Sequence, residues 1–180
     1  MPFKNPKENE PMKTTADSIA IPDHVTLKTG QGGLPYLELR CNGAEAHVYL
    51  HGGHVLHYQP AGQAPVLWQS EKSFFEPGKP IRGGIPICWP WFGPNPNDPQ
   101  KPAHGFARLV EWKPIHSSAT DTETLVVLQL PEECCAEALL QITVKLSQQL
   151  SVVLTTTNRQ NSPFSFAEAL HTYFAIGDIH

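Results

Sequence analysis

The residues best suited to chemistry lie between positions 81 and 108, where Arg82 and Arg108 stand near the two ends. Glycines and prolines punctuate this segment too densely for a helix or a central strand. Three aromatic residues, Trp91 among them, lie close together in this irregular backbone, where they must pack against something or face a ligand. Aromatic surface between two guanidinium groups suits a sugar ring that carries an anionic group. The same content would also suit an interface with a partner protein.

Two histidines could act together with these arginines. His104 opens the sequence His-Gly-Phe-Ala-Arg, in which Gly105 allows a sharp turn or a close approach of the backbone to a ligand. His171 lies in a predicted strand, where Ala169, His171 and Tyr173 share one face. Small residues beside a histidine and a tyrosine indicate either a pocket wall or a tightly packed core. The periodicity alone leaves both interpretations open.

Four further histidines, His47, His51, His54 and His57, crowd one predicted strand-turn-strand segment and invite a metal-binding interpretation. His54 and His57 are an odd number of positions apart, so they point to opposite faces of a flat strand. We find no acidic residue placed to complete a transition-metal site. We therefore predict surface or half-buried histidines, no metal and no cofactor. A metal-dependent isomerase that uses these histidines is the alternative, and metal analysis would detect it.

Composition narrows the class of protein. The chain has 180 residues, enough for one domain with its own core. A net charge of -4 gives no general attraction to nucleic acid or anionic membranes, so local arginines must hold any anionic ligand. No apolar run approaches the ~20 residues of a membrane helix, and residues 1–17 lack the apolar stretch of a signal peptide. The cysteines form no Cys-x-x-Cys pair, which is typical of free thiols in a reducing compartment. We expect a cytoplasmic monomer.

The elements that position these residues are predicted to be β-strands. We expect residues 1–20 to form a disordered or loosely attached tail and residues 21–180 to form a single domain. Alternating apolar and polar residues predict strands at 34–40, 44–50, 54–58, 64–69, 111–116, 124–130, 139–147, 150–158 and 164–176. Asn42-Gly43 predicts a tight turn, and only 132–138 has a brief helical pattern. Short strands at regular spacing indicate an antiparallel sandwich or barrel.

Six motifs extend this interpretation by resemblance. They are Gly-Gly-His-Val at 52–55, Pro-Val-Leu-Trp at 65–68, Pro-Gly-Lys-Pro-Ile-Arg-Gly-Gly-Ile-Pro at 77–86, Trp-Pro-Trp-Phe-Gly-Pro at 89–94, His-Gly-Phe-Ala-Arg at 104–108 and Ala-Leu-His-Thr-Tyr-Phe at 169–174. In this order they closely resemble the aldose 1-epimerase superfamily, specifically the glucose-6-phosphate 1-epimerases, or hexose-6-phosphate mutarotases. The resemblance runs from about the second strand to the end of the chain.

The resemblance implies an all-β fold, an antiparallel β-sandwich of the galactose-mutarotase type. It implies an enzyme that interconverts the α and β anomers of a hexose 6-phosphate by acid/base ring opening, without a cofactor. By the same resemblance His171 is the catalytic acid, Arg82 and Arg108 bind the phosphate, and His104 lines the sugar site. We expect Trp91 to contact the substrate as well.

Family members continue beyond the last of these motifs, so the resemblance implies a sandwich that is incomplete at the C-terminus. The family's catalytic base, a glutamate, lies in that continuation. Glu168 does not replace it, because strand alternation places Glu168 on the face opposite His171. The alternative function is therefore a non-catalytic phosphosugar-binding module, or an inactive fragment that lacks the catalytic glutamate.

Overall fold

The computed structural model describes residues 19–177, and these form ten β-strands joined by loops and short 3₁₀ turns. The strands are β1 (Val25–Thr29), β2 (Pro35–Cys41), β3 (Ala44–Tyr49), β4 (His54–Gln59), β5 (Ile87–Cys88), β6 (Lys113–Thr120), β7 (Glu123–Gln129), β8 (Ala138–Leu146), β9 (Leu150–Asn158) and β10 (Ala169–Leu170). The 3₁₀ turns are Gln31–Gly33, Ala107–Leu109 and Glu132–Cys134. Between residues 19 and 177 no helix combines the length and the apolar character that crossing a membrane requires.

Two four-stranded antiparallel sheets make up most of the fold. One has the order β1-β2-β3-β4 and the other β6-β7-β8-β9, while β5 and β10 form a separate two-stranded pair. Asn42 and Gly43 have positive φ angles of 49° and 80°, which fit the predicted tight turn between β2 and β3. The predicted all-β antiparallel architecture is confirmed, and the predicted bounds of β9 agree with the observed strand.

The two large sheets pack face to face, and this makes the fold a sandwich. In β8 every second residue is buried, so that Leu140, Ile142 and Val144 point inwards. Strand β2 lies against β7 and β8 and contributes the fully buried Leu37 and Leu39. Each such side chain stabilises the fold by about 1.5–3 kcal/mol on burial. The alternation of apolar and polar residues therefore sets both the strands and the face that each presents to the core.

Two predicted strands are not regular strands in the structure. The segment 164–176 contains only β10, with an isolated bridge at Phe174, and the segment 64–69 has only single bridges at Leu67 and Gln69. Proline explains both corrections. Pro65 in one segment, and Pro86 opposite the other, have no N–H to donate, so neither can take part in a continuous ladder of hydrogen bonds.

Two other predictions concern a short helical stretch at 132–138 and an N-terminal tail at 1–20. The predicted helical stretch at 132–138 is helical only over Glu132–Cys134, because β8 begins at Ala138. Of the predicted tail at 1–20, residues 1–18 lie outside the described residues, as do 178–180. Ile19 belongs to the folded part, since it is 5% exposed and its carbonyl accepts a hydrogen bond of 2.7 Å from Ser117 Oγ.

Candidate active site

Arg82 lies on a loop whose backbone is fixed by the neighbouring segment 68–73. The N–H of Arg82 donates to Ser73 Oγ at 2.9 Å, and the N–H of Gly84 donates to the carbonyl of Trp68 at 2.8 Å. Gly83 and Gly84 have φ angles of 103° and 62°, a region that favours glycine. The Gly-Gly pair after Arg82 therefore turns the chain here and leaves the arginine side chain exposed.

Two buried histidines hold this loop from the β3–β4 turn. His51 Nε2 lies 2.8 Å from the carbonyl oxygen of Lys79, and His54 Nε2 lies 2.8 Å from that of Gly83. The two residues are only 3% and 1% exposed. The prediction of surface or half-buried positions is wrong for both, because their partners are far away in the sequence. Burial lowers the pKa of His54 to about 4, so its ring is neutral near pH 7.

Arg108 and His104 lie on the second loop of the site. Arg108 belongs to the 3₁₀ turn Ala107–Leu109, and its Nη2 donates to the carbonyl of Ala103 at 2.8 Å. His104 has a positive φ of 66°, and its Nδ1 accepts a hydrogen bond of 3.1 Å from the N–H of Gly93. Neutral His104 therefore carries its proton on Nε2, where it can donate to a ligand. Burial, Arg108 and His171 all lower the pKa of His104, which favours this neutral form.

His171 is attached directly to the loop of Arg82. The N–H of His171 donates to the carbonyl of Pro86 at 3.0 Å, and that of Tyr173 donates to the carbonyl of Gly84 at 2.9 Å. The rings of His171 and Tyr173 stack with centroids 4.8 Å apart. The two side chains thus lie on one side of this segment, as their spacing predicts. Glu168 instead accepts a hydrogen bond of 3.1 Å from Thr156 on β9.

A cavity of about 280 Å³ brings these loops together. Its walls are Pro80, Ile81, Arg82, Pro86, His104, Arg108 and Tyr173. His171 stands beside this cavity, with its ring centroid 6.3 Å from that of His104. Both arginines and both histidines that the sequence singles out are therefore assembled in one place from three separate segments.

Two unpaired polar groups lie at or beside this cavity. Arg108 Nε and His171 Nδ1 are buried and have no hydrogen-bond partner among residues 19–177. In the same range neither Arg82 nor Arg108 forms an ion pair. Burial and the neighbouring Arg82 lower the pKa of Arg108, yet arginine stays charged near neutral pH. A buried unpaired polar group costs about 1–3 kcal/mol, so an anionic ligand here would relieve that cost.

Two aromatic residues of the loop have different positions. The indole N–H of Trp91 donates to the carbonyl of Pro102 at 3.0 Å, and Trp91 is not part of the cavity wall. Its contact with a substrate stays a prediction. Phe92 lies nearer to the histidines, with its ring centroid 4.8 Å from His104 and 6.2 Å from His171. It therefore lies against both imidazoles.

The remaining hairpin histidines lie on another surface. His47 and His57 are half-buried, as predicted, and their ring centroids are 4.7 Å apart. The sequence-based statement that no acidic residue lies nearby is wrong, because His47 Nε2 is 2.8 Å from Glu45 and 3.8 Å from Glu38. These carboxylates already bind Arg40, at 2.9 Å for Glu38 and 3.2 Å for Glu45. Of the described residues, this is the one cluster with metal-ligand spacing.

Comparison with known proteins identifies the family to which this chain belongs. The sequence profile described as aldose 1-epimerase matches residues 35–180. The chain therefore belongs to the aldose 1-epimerase family.

Relatives within the family are more specific. A protein of Escherichia coli strain K12, provisionally named a glucose-6-phosphate 1-epimerase, is 37% identical over 137 residues, which make up 75% of this chain and 46% of the relative. A protein of Cenchrus ciliaris with the same provisional name is 34% identical over 149 residues, or 74% of this chain and 44% of that protein. The crystal structure of YeaD from Salmonella typhimurium, provisionally assigned as a mutarotase, superimposes with a TM-score of 0.79 at 29% identity.

These matches cover most of this chain but only about half of each relative. The superposition on YeaD covers 89% of this chain and 55% of that structure. The chain spans about half the length of the relatives that it matches. The likeness therefore applies to a part of each relative.

Four residues of the site have no assigned role in the sequence analysis. Tyr173 lines the cavity, and a signal for it exists, because it shares a strand face with His171. Phe92 is one of the clustered aromatic residues, but its contact with two imidazoles depends on how the loop folds back. For His51 and His54 no local pattern indicates a role. Their partners are backbone carbonyls about thirty residues further along the chain.

Proposed function

We propose that this chain carries the phosphosugar-binding and proton-donating part of a hexose-6-phosphate 1-epimerase. One observation carries the proposal: Arg82, Arg108 and His104 converge on a single cavity of about 280 Å³ beside His171. This volume is just below the roughly 300–1,000 Å³ typical of small-molecule sites. The family and its relatives with this provisional name support the same activity.

The two arginines would bind the phosphate. Guanidinium groups bind phosphate through pairs of parallel hydrogen bonds, which fix orientation as well as charge. Arg108 is anchored by its bond to Ala103 and keeps a buried Nε free. Arg82 reaches the cavity from the opposite loop. A phosphate between them would locate the sugar ring against the two histidines.

The two histidines would have separate tasks. Mutarotation removes the proton of the anomeric hydroxyl and protonates the ring oxygen, so that the bond between the anomeric carbon and that oxygen breaks. The aldehyde then rotates and the ring closes on its other face. We assign the proton donation to His171, because its ring lies beside the cavity and its buried Nδ1 has no partner among the described residues. His104 would donate its Nε2–H to a sugar oxygen, and the aromatic face of Trp91 would contact the substrate.

One observation favours a second candidate, a module that binds hexose phosphates without turnover. None of the described residues that line the cavity is a carboxylate, and Glu168 is bound to Thr156. Within the cavity wall there is then no evident acceptor for the proton of the anomeric hydroxyl. Under this candidate the arginines bind phosphate as above, and anomer exchange stays at the rate in solvent.

One experiment separates the two candidates. Freshly dissolved α-glucose 6-phosphate is followed by proton NMR with and without the protein, while binding is measured by calorimetric titration. An epimerase exchanges the anomers faster than buffer does, and His171→Ala abolishes the acceleration while binding persists. The exposed His116→Ala serves as the control and should keep the full rate. Binding without acceleration would establish the second candidate, and no binding would refute both.

A further inference from the structure

Two buried histidines outside the cavity wall form hydrogen bonds to the loop that carries Arg82. His54 Nε2 is 2.8 Å from the carbonyl oxygen of Gly83, and His51 Nε2 is 2.8 Å from that of Lys79. A carbonyl oxygen only accepts, so both rings must carry a proton on Nε2 and donate it. The two carbonyls that accept these bonds, of Lys79 and Gly83, lie before and after Arg82 in the sequence.

The bond from His54 restrains one end of a peptide whose other end is also hydrogen-bonded. The Gly83 carbonyl accepts from His54, while the N–H of the same peptide, that of Gly84, donates to the Trp68 carbonyl at 2.8 Å. A planar peptide that is held at both ends cannot rotate without breaking both bonds. Glycine lacks the Cβ that limits other residues, so the hydrogen bonds must supply the restraint at Gly83 and Gly84.

The same peptide connects the two functional segments of the site. Arg82 directly precedes it, and the carbonyl of Gly84 follows it and accepts the N–H of Tyr173 at 2.9 Å. Two residues further on, the Pro86 carbonyl accepts the N–H of His171 at 3.0 Å. A rotation at Gly83 would therefore move Arg82 relative to His171.

The turn between His51 and His54 also supports the second arginine. The N–H of Gly52 donates to the carbonyl of Val110 at 2.7 Å. A Cβ atom on Gly52 would lie 3.0 Å from the carbonyl oxygen of Arg108, which shows how closely the two backbones approach. One turn of the chain thus touches the backbones on which both arginines stand.

We propose that His54, together with His51, is a positioning residue for phosphate binding. It fixes the Gly83–Gly84 peptide and so holds the guanidinium of Arg82 in register with Arg108. The inference rests on the proposed function, because it names the step of that function which these histidines serve. Bidentate binding needs fixed geometry, and a displacement of about 1 Å can cost on the order of a hundredfold.

The test compares variants of His54 in the whole chain, with glucose 6-phosphate as the probe in calorimetric titrations. His54→Leu removes the donor and should weaken binding at least about tenfold, the loss expected for a hydrogen bond to a displaced charged group. His54→Gln keeps an N–H at the end of the side chain and should restore most of the affinity. His57→Leu is the matched control, because His57 lies on the same strand and its ring packs against His47, with centroids 4.7 Å apart, instead.

A double-mutant cycle shows whether His54 acts through Arg82. If it does, His54→Leu weakens binding in the wild-type background but has little further effect when Arg82→Ala is already present. A general loss of structure would instead reduce the affinity by the same factor in both backgrounds. Amide NMR spectra of each variant report on folding independently of the ligand.

Three outcomes of these experiments would count against the inference. The inference is overturned if His54→Leu binds glucose 6-phosphate as tightly as the wild type, or if its effect is undiminished beside Arg82→Ala. Should His54→Leu fail to fold, His54→Asn replaces it, since its shorter amide does not reach Gly83, and equal affinity of the Asn and Gln variants would refute the role. Absence of binding by the wild type is a different result, which overturns the proposed function and this inference with it.

Discussion

The imidazole rings of His104 and His171 meet edge to face, with centroids 6.3 Å apart and planes inclined at 75°. The Nδ1 of His104 accepts a hydrogen bond from the Gly93 N–H, which favours the neutral ring. The Nδ1 of His171 is buried and has no partner among the described residues. Two rings of the same kind therefore differ in what they can do. His104 can donate a hydrogen bond from Nε2, while His171 keeps Nδ1 available for a bond to a ligand.

Removing either arginine should weaken the binding of glucose 6-phosphate. A hydrogen bond to a charged group contributes about 1.5–3 kcal/mol, so we expect Arg82→Ala and Arg108→Ala each to lower the affinity roughly 10- to 150-fold. Calorimetric titration at two salt concentrations measures the change. Arg159→Ala is the control, because Arg159 binds Glu132 at 2.8 Å and should leave the affinity unchanged. Equal affinities for all three variants would show that Arg82 and Arg108 do not bind the ligand.

His54 should make the protein less stable as the pH falls. Its pKa is about 4 in the folded protein against 6.5 for an unperturbed histidine, so between these values the unfolded state binds more protons. Its contribution is complete above pH 6.5 and is lost as the pH falls towards 4. The difference corresponds to about 3 kcal/mol. Urea unfolding at several pH values should show a shallower decline for His54→Gln than for the wild type.

The control for this effect is the exposed His116. His116→Gln replaces an exposed histidine instead of a buried one, so the decline of its stability with falling pH should match that of the wild type. The pKa values of His57 and His104 are also lowered by burial, and both residues are present in every variant compared. An identical pH profile for His54→Gln would show that His54 is not buried in its neutral form.

Alanine at Gly84 should be far more damaging than alanine at Gly62. Both glycines have positive φ angles, 62° and 67°, so each substitution carries the same backbone penalty of about 1 kcal/mol. A Cβ on Gly84 would also overlap the carbonyl oxygen of Val55 and lie 2.8 Å from His54 Nε2, whereas nothing lies within 4 Å at Gly62. We expect Gly84→Ala to cost about 3 kcal/mol in denaturant unfolding. Equal costs would contradict the close packing of this loop.

The edge of the second sheet should promote self-association. Within the described residues β9 pairs with β8 alone, and Val153 on it is 50% exposed. Apolar edge strands can pair with other chains, and a lysine opposes this. We expect concentration-dependent association in light scattering, and Val153→Lys should lower it. Thr157→Lys, at an already polar exposed position of the same strand, should have a smaller effect. The reverse order would place the association elsewhere.

The sequence by itself indicated most of the long strands and the motifs that carry the proposed site residues. Strand β9 is predicted with its observed bounds because alternation of apolar and polar residues is a local property of the chain. The Asn42-Gly43 turn is predicted for the same reason, since its positive φ angles depend on two adjacent residues. The motifs around Arg82, Arg108, His104 and His171 are also contiguous, so they are visible without coordinates.

Only the tertiary structure decided how these residues meet. The segment that carries His171 is irregular because Pro86, far from it in the sequence, has no N–H to donate. His51 and His54 are buried because carbonyls of a distant loop accept their protons. A hydrogen bond or a cavity depends on which remote segment arrives at a given point in space. Periodicity along one strand does not contain that information.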